Sequence, residues 1–215
     1  MDKVKRFDLQ HTDDEIPVDD LDNPIWQSAN EIEITQYWSG KIAPHGRRLK
    51  ARGLWSDDSL YFRFEAAIDE PLVVSDVPNL ATKSVGLWER DVCEVFIAPN
   101  TRLPHRYYEF EIAPNGEWID VAIEITSDGR QTDLEYASGM TSAVRVENDV
   151  AISAIKIPFS GIGGMPKAGE VWLGNLFRCV GKDPGRGYLA WMPTMTAVPN
   201  FHVPERFGQF VFTRQ

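Results

Sequence analysis

The chain has 215 residues, and its 22 Lys and Arg residues against 32 Asp and Glu residues give a formal net charge of -10. Hydrophobic residues make up 43% and charged residues 25%, which is typical of a soluble globular protein and excludes a disordered chain, a collagen-like repeat and a coiled coil. The acidic balance excludes nucleic acid and anionic membranes as main partners, because both bind basic surfaces, and no apolar run approaches the roughly 18 residues of a membrane-spanning helix.

The first twenty residues, rich in Asp and Glu, predict an extended and solvated N-terminal arm. No linker rich in Gly, Ser or Pro follows, so we expect residues 1–215 to form a single domain. The start of the chain has no apolar stretch of the signal-peptide type, which predicts a cytoplasmic protein, or a secreted or periplasmic one if a leader has been removed.

Alternation of apolar and polar residues dominates from Leu49 onward and predicts β-strands. In Ser59–Glu65, for example, Leu60, Phe62 and Phe64 fall on one face and the intervening polar residues on the other. Many short strands with frequent turns, and no convincing helix, predict an all-β antiparallel β-sandwich of the jelly-roll type, with two packed sheets of about five to six strands each. The remaining predicted strands are Val92–Ala98, Arg106–Ala113, Glu117–Ile125, Thr141–Glu147, Val150–Ile157, Val171–Val180 and Phe207–Thr213.

Asn115-Gly116 is a strong signal for a hairpin with a two-residue type I′ turn. Such a turn places Glu111 directly opposite Asp120 and puts Trp118 on the same polar face. Two carboxylates in that position need a cation, a hydrogen-bond donor or a polyol ligand between them. The hairpin therefore predicts a polar, ligand-binding face on this pair of strands.

The two cysteines, Cys93 and Cys179, have no metal-binding spacing and are expected to be reduced, buried and structural. No serine-hydrolase, zinc-protease, P-loop or dinucleotide motif is present. A glycoside hydrolase using Glu94 or Glu111 remains an open alternative, because paired carboxylates can cleave glycosidic bonds. Trp88, Trp191 and Phe201 lie in predicted loops, and loop aromatics beside Glu, Arg and Asn are the residue types that bind a sugar ring.

Several motifs resemble those of family 9 carbohydrate-binding modules and follow in the same order. The run Trp88–Ile97 resembles the family signature W-E-x-D-x-V-E-I-F-I, and Trp55–Tyr61 resembles its W-D-x-x-x-L-Y segment. Tyr107–Ile112, Gly174–Arg178 and Pro204–Gly208 follow in the expected order. The resemblance implies a β-sandwich that binds mono- or oligosaccharides without cleaving them, with a link to xylan or cellulose catabolism.

By position, the resemblance implies that Trp88 and Phe201 clamp the sugar, and that Glu94 and Arg178 bind its hydroxyl groups. Together with the hairpin argument, this gives six candidate ligand-binding residues: Trp88, Glu94, Glu111, Trp118, Arg178 and Phe201. Glu111 and Ala113 stand where the family has Arg and Asn. Family members often bind structural calcium, which the acidic loops allow, although no residue pattern specifies a site.

The resemblance leaves one further alternative open. The wider DOMON-type superfamily of such sandwiches includes haem-binding domains, in which Met192 or Met195 together with His202 would be the axial ligands.

Overall fold

The computed structural model describes residues 4–214, and the fold is all-β, as predicted. Within that range the only helical elements are five 3-10 turns of three or four residues: Pro24–Gln27, His45–Arg47, Leu87–Glu89, Phe159–Gly161 and Pro204–Arg206. The strands are β1 (Arg6–His11), β2 (Glu31–Ile34), β3 (Leu49–Trp55), β4 (Ser59–Ala67), β5 (Val92–Ala98), β6 (Arg106–Ile112), β7 (Trp118–Thr126), β8 (Gly129–Asp133), β9 (Thr141–Glu147), β10 (Val150–Pro158), β11 (Val171–Val180), β12 (Gly187–Ala190) and β13 (Gly208–Thr213).

The strands form one continuous hydrogen-bonded sheet rather than the two separate sheets predicted from the sequence. Its order is β8-β7-β6-β5-β11-β13-β1-β3-β4-β10-β9, with β12 added to β11 and β2 added to β3. Most neighbours are antiparallel, but β1 lies parallel to both β13 and β3 and joins the two halves. The predicted separation into two sheets fails because this strand bridges them.

β1 comes from the segment that the sequence analysis assigned to a solvated arm. Its residues Phe7 and Leu9 alternate with polar neighbours and are buried, with relative exposures of 1% and 0%. Because many acidic residues lie around this strand, the composition of the segment is polar on average. This composition concealed the two apolar residues, which are two positions apart, as on one face of a strand.

The main core lies between the two halves of the sheet, which curl to face each other. Strands β5, β6 and β11 contribute one side of this core and β3, β4 and β10 the other. Its central residues include Val95, Ile97, Phe110, Ile112 and Leu176 on the first side and Leu49, Ala51, Phe62, Phe64 and Ile155 on the second.

A second apolar layer covers the outer face of β5, β6, β7 and β11, away from the main core. It is completed by loop side chains, so these strands are buried on both faces. Its members include Phe96, Tyr107, Ile119, Val121, Phe177 and Cys179 from the strands and Leu87, Phe201 and Phe207 from the loops. When a sheet is covered on both sides, polar side chains on either face of its strands are also buried.

The hairpin of β6 and β7 exists, but its predicted register is wrong by one residue. Glu111 pairs with Ile119 and Phe110 with Asp120, and the loop between the strands contains three residues, Pro114 to Gly116. A type I′ turn needs positive φ at both central positions, whereas here only Gly116 has it, at +90°.

A one-residue slip moves side chains to the opposite face of a sheet. Asp120 and Trp118 therefore lie on the face opposite to Glu111. Asp120 is neutralised there by Lys83, with 2.7 Å between Nζ and Oδ1, and it accepts a hydrogen bond of 2.7 Å from the Ser138 hydroxyl. The predicted repulsion between Glu111 and Asp120 does not exist.

Both cysteine thiols are free and buried, as predicted, but they lie in different apolar layers. Cys93 faces the main core and Cys179 faces the outer layer. No helix within residues 4–214 is long and apolar enough to cross a membrane.

Candidate functional site

A cleft of about 210 Å³ lies over the outer face of β5, β6 and β11. Its walls are aromatic, formed by Trp88, Tyr188 and Phe201. Its floor is made by Glu94, Glu109 and Cys179, which project from the strands below. Polar side chains surround this floor at the opening: Arg130, Thr132, Asn200 and His202.

Trp88 is held at the cleft by the short turn Leu87–Glu89. Leu87 is buried and anchors the turn, while the adjacent Trp88 side chain remains 37% exposed. The Arg186 guanidinium donates hydrogen bonds to the carbonyls of Trp88 (2.7 Å), Glu89 and Arg90 (2.8 Å). An indole that is exposed on a fixed backbone is available to stack on a ligand.

Phe201 forms a second, more deeply set wall. Its ring stacks on Phe177, with centroids 4.0 Å apart and an interplanar angle of 12°, and the Tyr188 ring lies edge-on to it at 6.1 Å. Only 8% of Phe201 is exposed. The ring is therefore held rigidly by the outer apolar layer.

Three carboxyl groups meet beneath these walls. Glu94 on β5 pairs directly with Glu111 on β6, and Glu109 lies two residues earlier on the same face of β6. One oxygen from each of the three lies within 4.8 Å of the others. Their relative exposures are only 1%, 0% and 4% for Glu94, Glu111 and Glu109. Glu111 lies behind the other two and does not line the cleft.

Burial and mutual repulsion make these carboxyls weak acids. Burial first, and then neighbouring carboxylates, raises the pKa of Glu94 and of Glu111 well above the ordinary value. Burial also raises the pKa of Glu109. The Cys179 thiol donates a hydrogen bond of 3.3 Å to Glu94 Oε1. The floor can therefore accept hydrogen bonds, donate them when protonated, or bind a cation.

His202 sits at the rim as a neutral imidazole. Burial, reinforced by the charge of Arg130, lowers the pKa of His202 to about 3. Its Nδ1 lies 2.8 Å from the hydroxyl oxygen of Tyr107 and 4.0 Å from a carboxylate oxygen of Glu109. A neutral imidazole offers no positive charge to the carboxyls beside it.

Arg178 does not lie at this site, which corrects the prediction that it lines the floor with Glu94. It pairs with Cys93 and faces the main core. There it donates hydrogen bonds to the carbonyls of Arg47 (2.9 Å), Arg48 (2.8 Å) and Ala67 (2.6 Å). The prediction assumed a single buried face for β11, whereas both faces are buried, so Arg178 and Glu94 point in opposite directions.

Trp118 is also separated from the cleft. The register shift places it against the main core beside a different groove, where its Nε1 donates a long hydrogen bond of 3.4 Å to the Leu80 carbonyl. Of the six predicted residues, Trp88, Glu94 and Phe201 line one cleft and Glu111 lies immediately behind it, while Arg178 and Trp118 lie elsewhere.

The residue pair suggested for haem is not brought together. Met192 and Met195 line another pocket, near Lys5 and Arg206, while His202 belongs to the cleft.

Sequence reasoning missed several lining residues. Glu109 follows the same alternation as Glu111, and Asn200 and His202 flank Phe201, so local patterns could have pointed to these three. Arg130 and Tyr188 carry no such signal, because only the folding of β8 and β12 brings them to the cleft.

Comparison with known proteins gives a consistent result. A family model described as "Carbohydrate family 9 binding domain-like" matches residues 18–214. A search of curated proteins found no match to the sequence.

Three solved structures share the fold. A candidate carbohydrate-binding protein from Bacteroides uniformis superposes with a TM-score of 0.78 at 17% identity, covering 98% of this chain and all of that one. A family 9 carbohydrate-binding module from Caldicellulosiruptor kristjanssonii was solved with cellotriose, and it has a TM-score of 0.69 at 14% identity, with coverages of 98% and 95%. A structure of such a module from the same organism with glucose gives 0.67 at 15% identity, with coverages of 98% and 97%. At these identities the likeness establishes the fold.

Proposed function

The chain belongs to the carbohydrate family 9 binding domain-like family, and we propose that it binds a saccharide, without cleaving it, in the cleft between Trp88 and Phe201. The observation that carries this proposal is the pairing of aromatic walls with a floor of carboxyl groups. A sugar ring has C–H groups on its faces and hydroxyls around its edge, so it is bound by aromatic faces and by polar groups at the rim.

The dimensions of the cleft favour one sugar unit. Its volume of about 210 Å³ is small for a chain of several sugar units. A monosaccharide or the terminal unit of an oligosaccharide is therefore the expected ligand. Because the cleft is small and its Trp88 wall is partly exposed, we expect a dissociation constant in the range of about 1 μM to 1 mM.

The Caldicellulosiruptor modules were solved with cellotriose and with glucose, so these two sugars are the first ligands to test. Roles in xylan or cellulose catabolism, and a relation to the DOMON-type superfamily, stay predictions. Including xylo-oligosaccharides in the same titrations addresses the first of them.

Calorimetric titration of the wild type and two tryptophan variants tests the site. Trp88→Ala removes the exposed indole from an anchored turn, and we expect at least about a tenfold loss of affinity because the stacking surface disappears. Trp118→Ala is the matched control, since Trp118 lies on the opposite face. We expect its affinity for the sugar to equal that of the wild type.

Thermal melting of the same proteins separates binding from folding. We expect Trp88→Ala to melt close to the wild type, because its side chain is partly exposed. The assignment of the cleft is wrong if Trp88→Ala binds the sugar normally, or if Trp118→Ala loses binding while remaining folded.

A further inference from the structure

Three buried carboxyl groups lie together at the floor of the cleft, and no Lys or Arg among the described residues forms a salt bridge with them. Glu94 and Glu111 are direct cross-strand partners, an arrangement that is destabilising when both are charged. Both carboxyl oxygens of Glu111 are buried, and among the described residues no donor outside the carboxyl cluster hydrogen-bonds to them; the carboxyl of Glu109 is the polar group beside them. Ionising this side chain without a partner is unfavourable, so its carboxylate form needs a cation that the described residues do not provide.

The nearby arginines are committed to other groups. Arg186 is directed at the three backbone carbonyls of the Trp88 turn, and Arg178 is bound to carbonyls on the opposite face of the sheet. Arg130 is exposed at the rim, and no ion pair joins it to the carboxyls in the described part of the chain. None of the three forms an ion pair with a carboxyl of the cluster, although the charges of Arg186 and Arg130 act on it through space.

The geometry of the cluster suits a bound ion. One oxygen from each of Glu94, Glu109 and Glu111 lies within 4.8 Å of the others, so a single ion between them could contact all three. All of these ligand atoms are carboxylate oxygens, which hard divalent cations prefer. A charge of +2 would offset most of the charge of three carboxylates.

We propose that Glu94, Glu109 and Glu111 bind one divalent cation at the base of the cleft, with Ca²⁺ as the expected ion. Ca²⁺ accepts roughly six to eight oxygen ligands in flexible geometry, whereas Mg²⁺ requires a near-ideal octahedron that strand-bound carboxylates meet less readily. Oxygens from solvent or from saccharide hydroxyls complete the coordination on the open side. The contact with sugar rests on the proposed function, while the cation site does not.

The test is a calorimetric titration of chelator-treated, metal-free protein with CaCl₂. We expect one Ca²⁺ per chain and a higher melting temperature in excess Ca²⁺, because a ligand that binds the folded state stabilises it. Glu111→Gln keeps the shape of the side chain and removes its charge, and we expect at least about a tenfold weaker affinity for Ca²⁺.

Glu124→Gln is the matched control, because Glu124 lies on β7 in a surface ion pair with Arg106, and its affinity for Ca²⁺ should be unchanged. If Glu111→Gln fails to fold, as judged by circular dichroism, Glu109→Gln tests the same site. The cation site is wrong if the metal-free wild type binds no Ca²⁺ at millimolar concentration, or if both glutamine variants bind it as tightly as the wild type.

Sugar titrations in EDTA and in CaCl₂ separate this inference from the proposed function. Stronger binding of glucose or cellotriose in CaCl₂ supports a cation that contacts the sugar. Equal sugar binding in both, without Ca²⁺ binding, overturns the cation site and leaves the proposed function intact. Binding of Ca²⁺ with no sugar binding supports the cation site and contradicts the proposed function.

Glucosamine in EDTA provides a last comparison. If glucosamine binds at least about tenfold more tightly than glucose while Ca²⁺ does not bind, the carboxyl groups bind the ammonium group of this sugar, and the proposed cation site is wrong.

Discussion

Glu117 and Glu111 show how two buried glutamates of one hairpin can have opposite environments. Glu117 is 4% exposed, yet its carboxylate accepts hydrogen bonds from Arg90 Nη1 (2.6 Å), Asn115 Nδ2 (2.9 Å) and the Ser84 hydroxyl (3.2 Å). Burial alone would raise the pKa of Glu117, but the hydrogen bonds and the charge of Arg90 hold it below its ordinary value. This carboxylate ties the hairpin turn to the loop that carries Trp88, whereas no arginine, amide or hydroxyl group among the described residues donates to the carboxyl of Glu111.

We predict that Glu117→Gln destabilises the protein near neutral pH. The pKa of Glu117 is lower in the folded than in the unfolded state, so its contribution is present above the unfolded pKa and is lost as the pH falls through the folded value. The expected loss is about 1 to 3 kcal/mol at about pH 7 and smaller at about pH 3. Urea denaturation at both pH values measures the difference from wild type.

Glu124→Gln is the control for this experiment, since its surface ion pair with Arg106 contributes about 1 kcal/mol or less. A Glu117→Gln effect that stays constant or increases at acid pH would contradict the assignment.

We predict that neither cysteine reacts with a thiol reagent in the native protein. Burial raises the pKa of Cys93 to about 12 and that of Cys179 well above its ordinary value, so little reactive thiolate is present. A colorimetric thiol assay at about pH 8 should detect no labelling in the native state and labelling of both residues in denaturant. Rapid labelling of one thiol in the folded protein would show that its layer opens to solvent.

At the scale of elements, the hairpin of β6 and β7 determines which side chains reach the cleft. Its three-residue loop is closed by hydrogen bonds between Ala113 and Glu117 and from Gly116 to the Ala113 carbonyl. This closure places Glu109 and Glu111 on the outer face with Ile119 and turns Trp118 away. The chemistry of the cleft therefore depends on one turn, whose type was predicted wrongly from the sequence.

We predict that Gly116→Ala destabilises the protein by about 1 to 2 kcal/mol, because residue 116 has a φ of +90° and L-residues are strained there. An added Cβ would also lie 3.2 Å from Leu80 Cδ2. Gly185→Ala is the matched control, since the nearest atom to its Cβ would be 3.8 Å away and its φ is not positive. Thermal melting compares the two variants, and equal melting temperatures would argue against the left-handed conformation at Gly116.

At the scale of the whole molecule, β1 determines how the two halves of the sheet are joined. It lies between β13 and β3 and makes the two halves of the fold continuous. Leu9 on this strand is fully buried, and a Cβ placed on Gly53 of β3 would lie only 2.3 Å from its Cδ2 atom. The Leu9 side chain therefore fills space that the neighbouring strand leaves open.

We predict that Leu9→Ala costs about 2 to 5 kcal/mol of unfolding free energy, as expected for a cavity in a rigid core. Leu80→Ala is the control, because Leu80 is 57% exposed and its loss should cost about 0.5 kcal/mol or less. Urea denaturation measures both values. A cost below about 1 kcal/mol for Leu9→Ala would mean that the N-terminal segment does not complete the sheet.

The sequence by itself determined the class of fold and most of its strands. Alternation placed β5, β9 and β11 with the bounds that the structure shows. The family resemblance pointed to Trp88, Glu94 and Phe201, which line one cleft. These features are local, because alternation depends on neighbouring residues and the loop aromatics flank recognisable strands.

Only the tertiary structure decided which face each residue takes. Alternation predicts that Arg178 and Cys179 lie on opposite faces of β11, but it does not determine which of the two buried faces each residue occupies. Arg178 was therefore assigned to the wrong face. The register of Trp118 depended on the φ of a single turn residue, and the pairing of β1 depended on strands distant in the sequence. Partner choice and register arise from long-range packing, which a local pattern of apolar and polar residues does not encode.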